Sequence, residues 1–198
     1  GNNWAIYQNG VSQATATDST SLGGNSATPT TTYDLSSSTG FTTSSSGLLN
    51  ADTSNEEIDF IFNVDDGSLA QLYHSTTVSD SLWILRSQID IDTISQGSDT
   101  NDKWLFYGFS SANTLHMGDS QDFLGMAIRV DNTKTDLMAI ETDGSAPNNE
   151  STTVFTRQAQ QETLYVEMKR ESSTSFTVNL YSDSNYSILL ESQTITAS

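Results

Sequence analysis

Oxygen ligands are the chemistry this chain offers most densely. Asp99-Thr100-Asn101-Asp102 and Asp131-Asn132-Thr133-Lys134-Thr135-Asp136 are its tightest Asx clusters, followed by Asp65-Asp66-Gly67 and Asp143-Gly144. Hard cations take grouped carboxylates, side-chain amides and carbonyls from loops between elements. Asp99, Asn101, Asp102, Asp131 and Asp136 are therefore the candidate ligands of a calcium ion, the one cofactor with support. None of these clusters has the spacing of a helix–loop–helix calcium loop. Asx side chains also build turns with no metal at all.

Catalytic constellations are scarcer. His74 and His116 are the only histidines, one at a strand end and one in a loop. There is no His-Glu-x-x-His, no Gly-x-Ser-x-Gly elbow, no phosphate loop and no Cys-His set. The chain is expected to be non-enzymatic, with no catalytic residue assigned.

Whatever these residues do, strands must position them. Leu164, Val166 and Met168 alternate with Tyr165, Glu167 and Lys169; after a polar break at Glu171–Thr174, Phe176, Val178 and Leu180 alternate with Thr177 and Asn179. Period-2 patterning of this kind predicts a hairpin with one apolar face. The same grammar predicts strands at Leu82–Ile91, Trp104–Phe109, Asp122–Val130, Asp136–Glu141, Thr152–Thr156 and Ile188–Ile195. Shorter ones are expected at Gly47–Asn50, Ile58–Val64 and Ala70–His74. Trp4 to Tyr7, the Asn9-Gly10 turn and Val11 to Thr17 read as a further hairpin. Ser19 to Thr32 reads as a polar connection. Many strands and almost no helical period define an all-β fold, a two-sheet antiparallel β-sandwich with one wetted side per sheet. Residues 1–32 form a head hairpin and linker, and 33–198 the sandwich domain. The expected core is Trp83, Leu85, Ile89, Leu124, Ile128, Val166, Met168, Phe176, Val178 and Leu180.

Composition bounds the setting. Against 25 acidic residues stand 7 basic ones, a net charge of −18, which argues against nucleic acid as partner. No apolar run is long enough to cross a bilayer as a helix, and insertion into membrane is not expected. Cys is absent, so no disulfide supports the fold. A Ser/Thr/Asn/Asp-rich, Lys-poor β-domain fits an extracellular, cell-surface or virion surface, where negative charge keeps it soluble. The sequence opens at Gly1 without Met, as a mature product or an excised piece would. Asn149-Glu150-Ser151 and Asn185-Tyr186-Ser187 are N-glycosylation sequons.

Asp80-Ser81-Leu82-Trp83-Ile84-Leu85-Arg86-Ser87-Gln88-Ile89-Asp90-Ile91 resembles the capped, Trp-bearing strand of concanavalin A-like and laminin-G-like jelly rolls. Trp104–Ser110, Asp122–Gly125 and Glu162–Glu167 are similar to further strands of that family, and Asn3–Val11 to its Trp-x-aliphatic-Tyr-x-Asn-Gly-Val hairpin. The likeness spans about Tyr33 to Ser198, and the two chain ends suggest either a window cut from a longer repetitive surface protein or a head that supplies what the end lacks. It implies a jelly roll, and it brings in the glycoside hydrolases of that family. Their catalytic strand is similar to Glu57-Ile58-Asp59, but Ile61 and Phe62 stand where the acid/base carboxylate belongs. A retaining hydrolase needs both carboxyls, so a degenerate hydrolase ranks third among the readings. The first is a module binding a glycan or a protein surface through Trp104, Phe106, Tyr107 and Tyr165. The second is a structural subunit that pairs with other copies of itself; residues 3–17 are expected to add strands to a sheet edge, either of this domain or of an adjacent copy.

Overall fold

A computed structural model describes residues 2–8, 11–12, 31–33, 41–43, 49–52, 54, 57–60, 72–78, 81–93, 103–111, 122–130, 133–143 and 150–196. All described regular structure is β: β1 (Asn2–Gln8), β2 (Val11–Ser12), β3 (Thr31–Tyr33), β4 (Phe41–Thr43), β5 (Leu49–Asp52), β6 (Glu57–Phe60), β7 (Leu72–His74), β8 (Trp83–Ile91), β9 (Lys103–Ser110), β10 (Phe123–Val130), β11 (Thr135–Thr142), β12 (Glu150–Gln158), β13 (Glu162–Ser172), β14 (Ser175–Tyr181) and β15 (Leu189–Thr196). The longer strands match the expected ones to within a few residues. The polar break after β13 shrinks to a two-residue turn, because Ser172 pairs with Ser175.

Two sheets carry the fold. One runs β15-β14-β13-β8-β1-β2, with β3 beside β1, and the other is the meander β12-β11-β10-β9. β4 pairs with β7 and β5 with β6 in two small antiparallel sheets. The large sheet is antiparallel from β15 to β8, but β1 joins β8 in parallel, Asn2 opposite Trp83 and Ala5 opposite Arg86. The head strand thus adds to an edge of this chain's own sheet.

The inward rows of the two sheets share one apolar cluster, consistent with a β-sandwich. Trp83, Leu85, Leu164, Val166, Met168, Phe176, Val178 and Leu180 from the large sheet meet Leu124, Met126, Ile128, Leu137, Ala139 and Phe155 from the meander. Every residue of the expected core lies here, with Ile89 partly buried at its margin. Trp83 sets its ring edge-on to Phe109 at 4.8 Å and tilted against Phe176 at 5.7 Å, tying both layers together.

One expectation needs correction: the meander does not keep a wetted outer face, and the large sheet keeps only part of its own. The outward residues Phe123, Ala127 and Ile140 of the meander form a second buried cluster, and Met138 is buried beside them in sequence. On the large sheet Arg86, Glu167, Thr177 and Asn179 are buried too. Alternation tells which residues share a face but not whether that face is covered. The apolar residues on both faces of β10 and β11 are the sequence trace of a doubly covered strand.

The outer edges of the two sheets, β12 and β15, pack against each other and are sealed by side chains. Glu191 accepts the N–H of Thr156 at 2.7 Å and that of Arg157 at 3.1 Å, taking the place of a missing ladder partner. Gln193 donates to the same carboxylate at 3.1 Å. Desolvation pushes the Glu191 carboxyl up, but Thr156, Arg157 and Gln193 together hold its pKa below the ordinary 4.5. A depressed carboxyl contributes stability that is present above its unfolded value and lost as pH falls through the folded one. Glu191→Gln should therefore cost about 1 kcal/mol at neutral pH and flatten the acid limb of the stability curve below pH 4.5, as read by urea unfolding across pH. In the core, Leu180→Ala should cost about 2–5 kcal/mol by the same measurement.

Candidate functional site

Register builds a polar face on the outside of the large sheet. Arg86 stands opposite Glu167, Glu167 opposite Asn179, and Asn179 opposite Ser192, so one row crosses β8, β13, β14 and β15. Arg86 donates from Nε to Glu167 Oε2 at 2.6 Å, and its guanidinium Nη2 lies 2.5 Å from the same oxygen. The other oxygen, Oε1, accepts Asn179 Nδ2 at 3.2 Å and the Tyr181 hydroxyl at 3.4 Å, with Lys169 Nζ at 3.9 Å. Ser192 closes the row by donating its hydroxyl to Asn179 Oδ1 at 2.6 Å. A buried carboxylate is tolerable only with this many donors.

Next to this row lies a second, Gln88–Tyr165–Tyr181. Beyond Tyr165, the exposed Asp90 carboxylate accepts Thr163 Oγ1 and Gln88 Nε2, each at 2.6 Å. Tyr186 covers the junction. Its ring sits over the Arg86 guanidinium at 4.7 Å and edge-on to Tyr181 and Tyr165 at 5.5 and 6.1 Å, and its hydroxyl donates to the Ser87 carbonyl.

Tyr186 adopts φ 54°, the left-handed region that a bulky side chain avoids. Asp183 holds the loop in that shape. Its carboxylate accepts the N–H groups of Asn185, Ser187 and Ile188 and the Ser187 hydroxyl. Desolvation, the largest single effect, raises the Asp183 carboxyl, but those four donors together outweigh it and lower its pKa.

Electrostatics follow the burial. Burial, then the Glu167 charge and hydrogen bond, push Tyr181 up to about 12 against the opposing pull of Arg86 and Asn179. Burial raises Tyr186 above the ordinary phenol range, with Arg86 opposing, and raises Tyr107 likewise. The Tyr107 and Ser87 hydroxyls approach each other inside the core without reaching hydrogen-bond geometry.

The four aromatics nominated as a ligand surface do not converge. Tyr107 belongs to the inward row and packs on the main core. Trp104 and Phe106 stack at 5.7 Å on the outer face of the meander, packed on its second cluster. There Arg129 lies between Trp104 and Asp136 in register, over the indole at 5.5 Å and ion-paired to the carboxylate. Only Tyr165 falls on the polar face just described. Of the candidate calcium ligands, Asp136 is buried with its carboxylate on Arg129 and 3.5 Å from Lys134 Nζ. Asp99, Asn101, Asp102 and Asp131 lie outside the described residues. Among the described residues no group of three or more His, Asp or Glu is arranged to hold a metal ion. Glu57 and Asp59 sit on β6 opposite Asp52 and Asn50. His74 sets its ring edge-on to Phe41 at 5.3 Å, and His116 lies outside the described residues. Asn185 is exposed at the loop tip, whereas Asn149 is not described.

Sequence reasoning set Glu167 and Asn179 opposite the apolar faces and gave no role to them or to Arg86. Tyr186 figured only as the middle of a sequon. What joins them is register across strands up to 81 residues apart, which no local pattern carries. No protein-family model, curated protein or solved structure is significantly similar to this chain.

A raised tyrosine pKa favours the protonated fold. Its contribution is present below the unfolded value of 10 and is lost as pH rises through about 12. Alkaline unfolding should therefore set in between those values, and Tyr181→Phe should lessen its slope, as followed by circular dichroism with phenolate absorbance.

Proposed function

We propose that this chain is a non-enzymatic extracellular module of a cell-surface or virion protein, a concanavalin A-like two-sheet jelly roll that binds a glycan or partner surface. The single core shared by the two sheets supports the jelly-roll reading. The binding reading rests chiefly on the partly exposed Tyr165 ring, flanked by the preorganised Asp90, Gln88 and Thr163 hydrogen-bonding set. A pyranose needs an apolar ring face to lie on and fixed polar atoms at its hydroxyls, and this patch supplies both.

A second reading, a self-assembling subunit joined by strand addition, is favoured by one observation. The terminal strand β1 pairs in parallel with β8, a pairing that a neighbour's head could also supply. A glycan array followed by titration calorimetry separates the two readings. Binding that Tyr165→Ala weakens about tenfold with the fold intact supports the module. A blank array, together with assembly that disappears on deleting residues 1–18, supports the subunit instead.

A further inference from the structure

The polar row on the large sheet holds more than a recognition surface needs: an amine, a carboxamide and a carboxylate meet in a largely buried setting. Lys169 and Glu167 lie two apart on β13 and share a face, while Asn179 stands opposite Glu167 on β14. Lys169 and Asn179 are thus diagonal cross-strand neighbours, a separation that long side chains bridge. Both already address the same atom, Glu167 Oε1, from 3.9 and 3.2 Å. Arg86 fixes the opposite oxygen and leaves Oε1 turned towards them. Ser192 donates to the Asn179 carbonyl oxygen at 2.6 Å. Glu167 and Asn179 are 4% and 6% exposed, so bulk water has little access to the carboxamide. Lys169 also lies 3.4 Å from Glu171, a contact it gives up on turning inward.

We propose that Lys169 and Asn179 join in an intramolecular amide, with Glu167 as the proton carrier and Ser192 as the oxyanion donor. Glu167 removes a proton from the Lys169 ammonium, and Nζ attacks Cγ of Asn179. The Ser192 hydroxyl, already on Oδ1, stabilises the charge that gathers there. Glu167 then returns the proton to Nδ2, with which it is already hydrogen-bonded. The Cγ–Nδ2 bond breaks and ammonia departs. Glu167 takes the second proton from Nζ and passes it to the ammonia. One Nζ–Cγ bond forms, one Cγ–Nδ2 bond breaks, ammonium leaves, and nothing is oxidised or reduced. Preorganisation on two paired strands supplies the effective concentration that such a step needs. The product staples β13 to β14 across the hairpin that anchors the core.

Intact-mass spectrometry of the folded wild-type chain tests this directly. The expected mass falls short of the sequence by one ammonia. After trypsin, the peptide containing Lys169 should be found branched onto the one containing Asn179, with cleavage after Lys169 lost. Lys169→Arg keeps the positive charge but has no nucleophilic amine, and should restore the full mass. Asn179→Ala and Glu167→Gln should do the same, and Ser192→Ala should slow the loss of ammonia after refolding at least tenfold. A folded wild-type chain that keeps its full mass after prolonged incubation overturns the proposal, however the variants fold. So does a shortfall found on an unbranched Asn179 peptide, as ring closure onto its own backbone would give.

Discussion

The pairing of β13 with β8 on one side and β14 on the other is the constraint from which both surfaces of the large sheet follow. Side chains alternate with a period of two, so a single register decides every position at once. With Val166 opposite Ser87 and Leu180, the row Leu164, Val166, Met168 is fully withdrawn from water. The same register sets Arg86, Glu167 and Asn179 side by side on the reverse. A slip of one residue would turn Glu167 into the apolar core and carry Met168 out of it. The core enforces the register, and the polar row is satisfied only when the register is right.

The polar row is weak support for stability in itself. Two charges taken out of water lose hydration that their attraction barely restores, and an apolar pair of equal volume is often as stable. What the row contributes is a demand for geometry. Glu167 needs Arg86 from one neighbouring strand and Asn179 from the other. Tyr186 then needs its left-handed backbone and the Asp183 loop to reach the guanidinium. Strain at Tyr186 is held because the ring gains a cation, two edge-on tyrosines and a carbonyl acceptor in one position. The meander repeats the device in a simpler form, with Trp104, Arg129 and Asp136 in register across three strands.

How much of this was legible in the sequence depends on the range of the signal. Strands and core could be read because alternation is local: Trp83, Leu85, Val166 and Val178 declare their face through their neighbours. Covering of the large sheet's outer face could not be read, since Thr177 and Asn179 look solvated in any window of their own strand. Pairing partners were hidden for the same reason, Arg86 and Glu167 being joined only by strand order. The nominated aromatics illustrate the limit. Phe106 and Tyr107 are adjacent in sequence and therefore point to opposite faces, so they could never have lined one surface. The parallel seating of β1 on β8 was equally out of reach, because hairpin grammar only speaks of antiparallel neighbours.

Charge gives the arrangement its outward character. Every basic side chain described is committed within the fold. Arg86, Arg129, Lys134, Arg157 and Lys169 pair with carboxylates, and Arg170 donates to the Ser172 and Ser173 carbonyls. The chain as a whole carries a net charge of −18, so its overall field is negative. Such a field repels a second acidic surface over the Debye length of about 8 Å at physiological salt. It rewards cations and leaves neutral ligands indifferent. A partner that docks on this chain must bring positive charge, or be neutral enough to use the tyrosine and hydroxyl groups of the large sheet without a charge of its own. Neutral sugars meet that second condition, and another copy of the chain meets neither unless backbone pairing at a strand edge outweighs the repulsion.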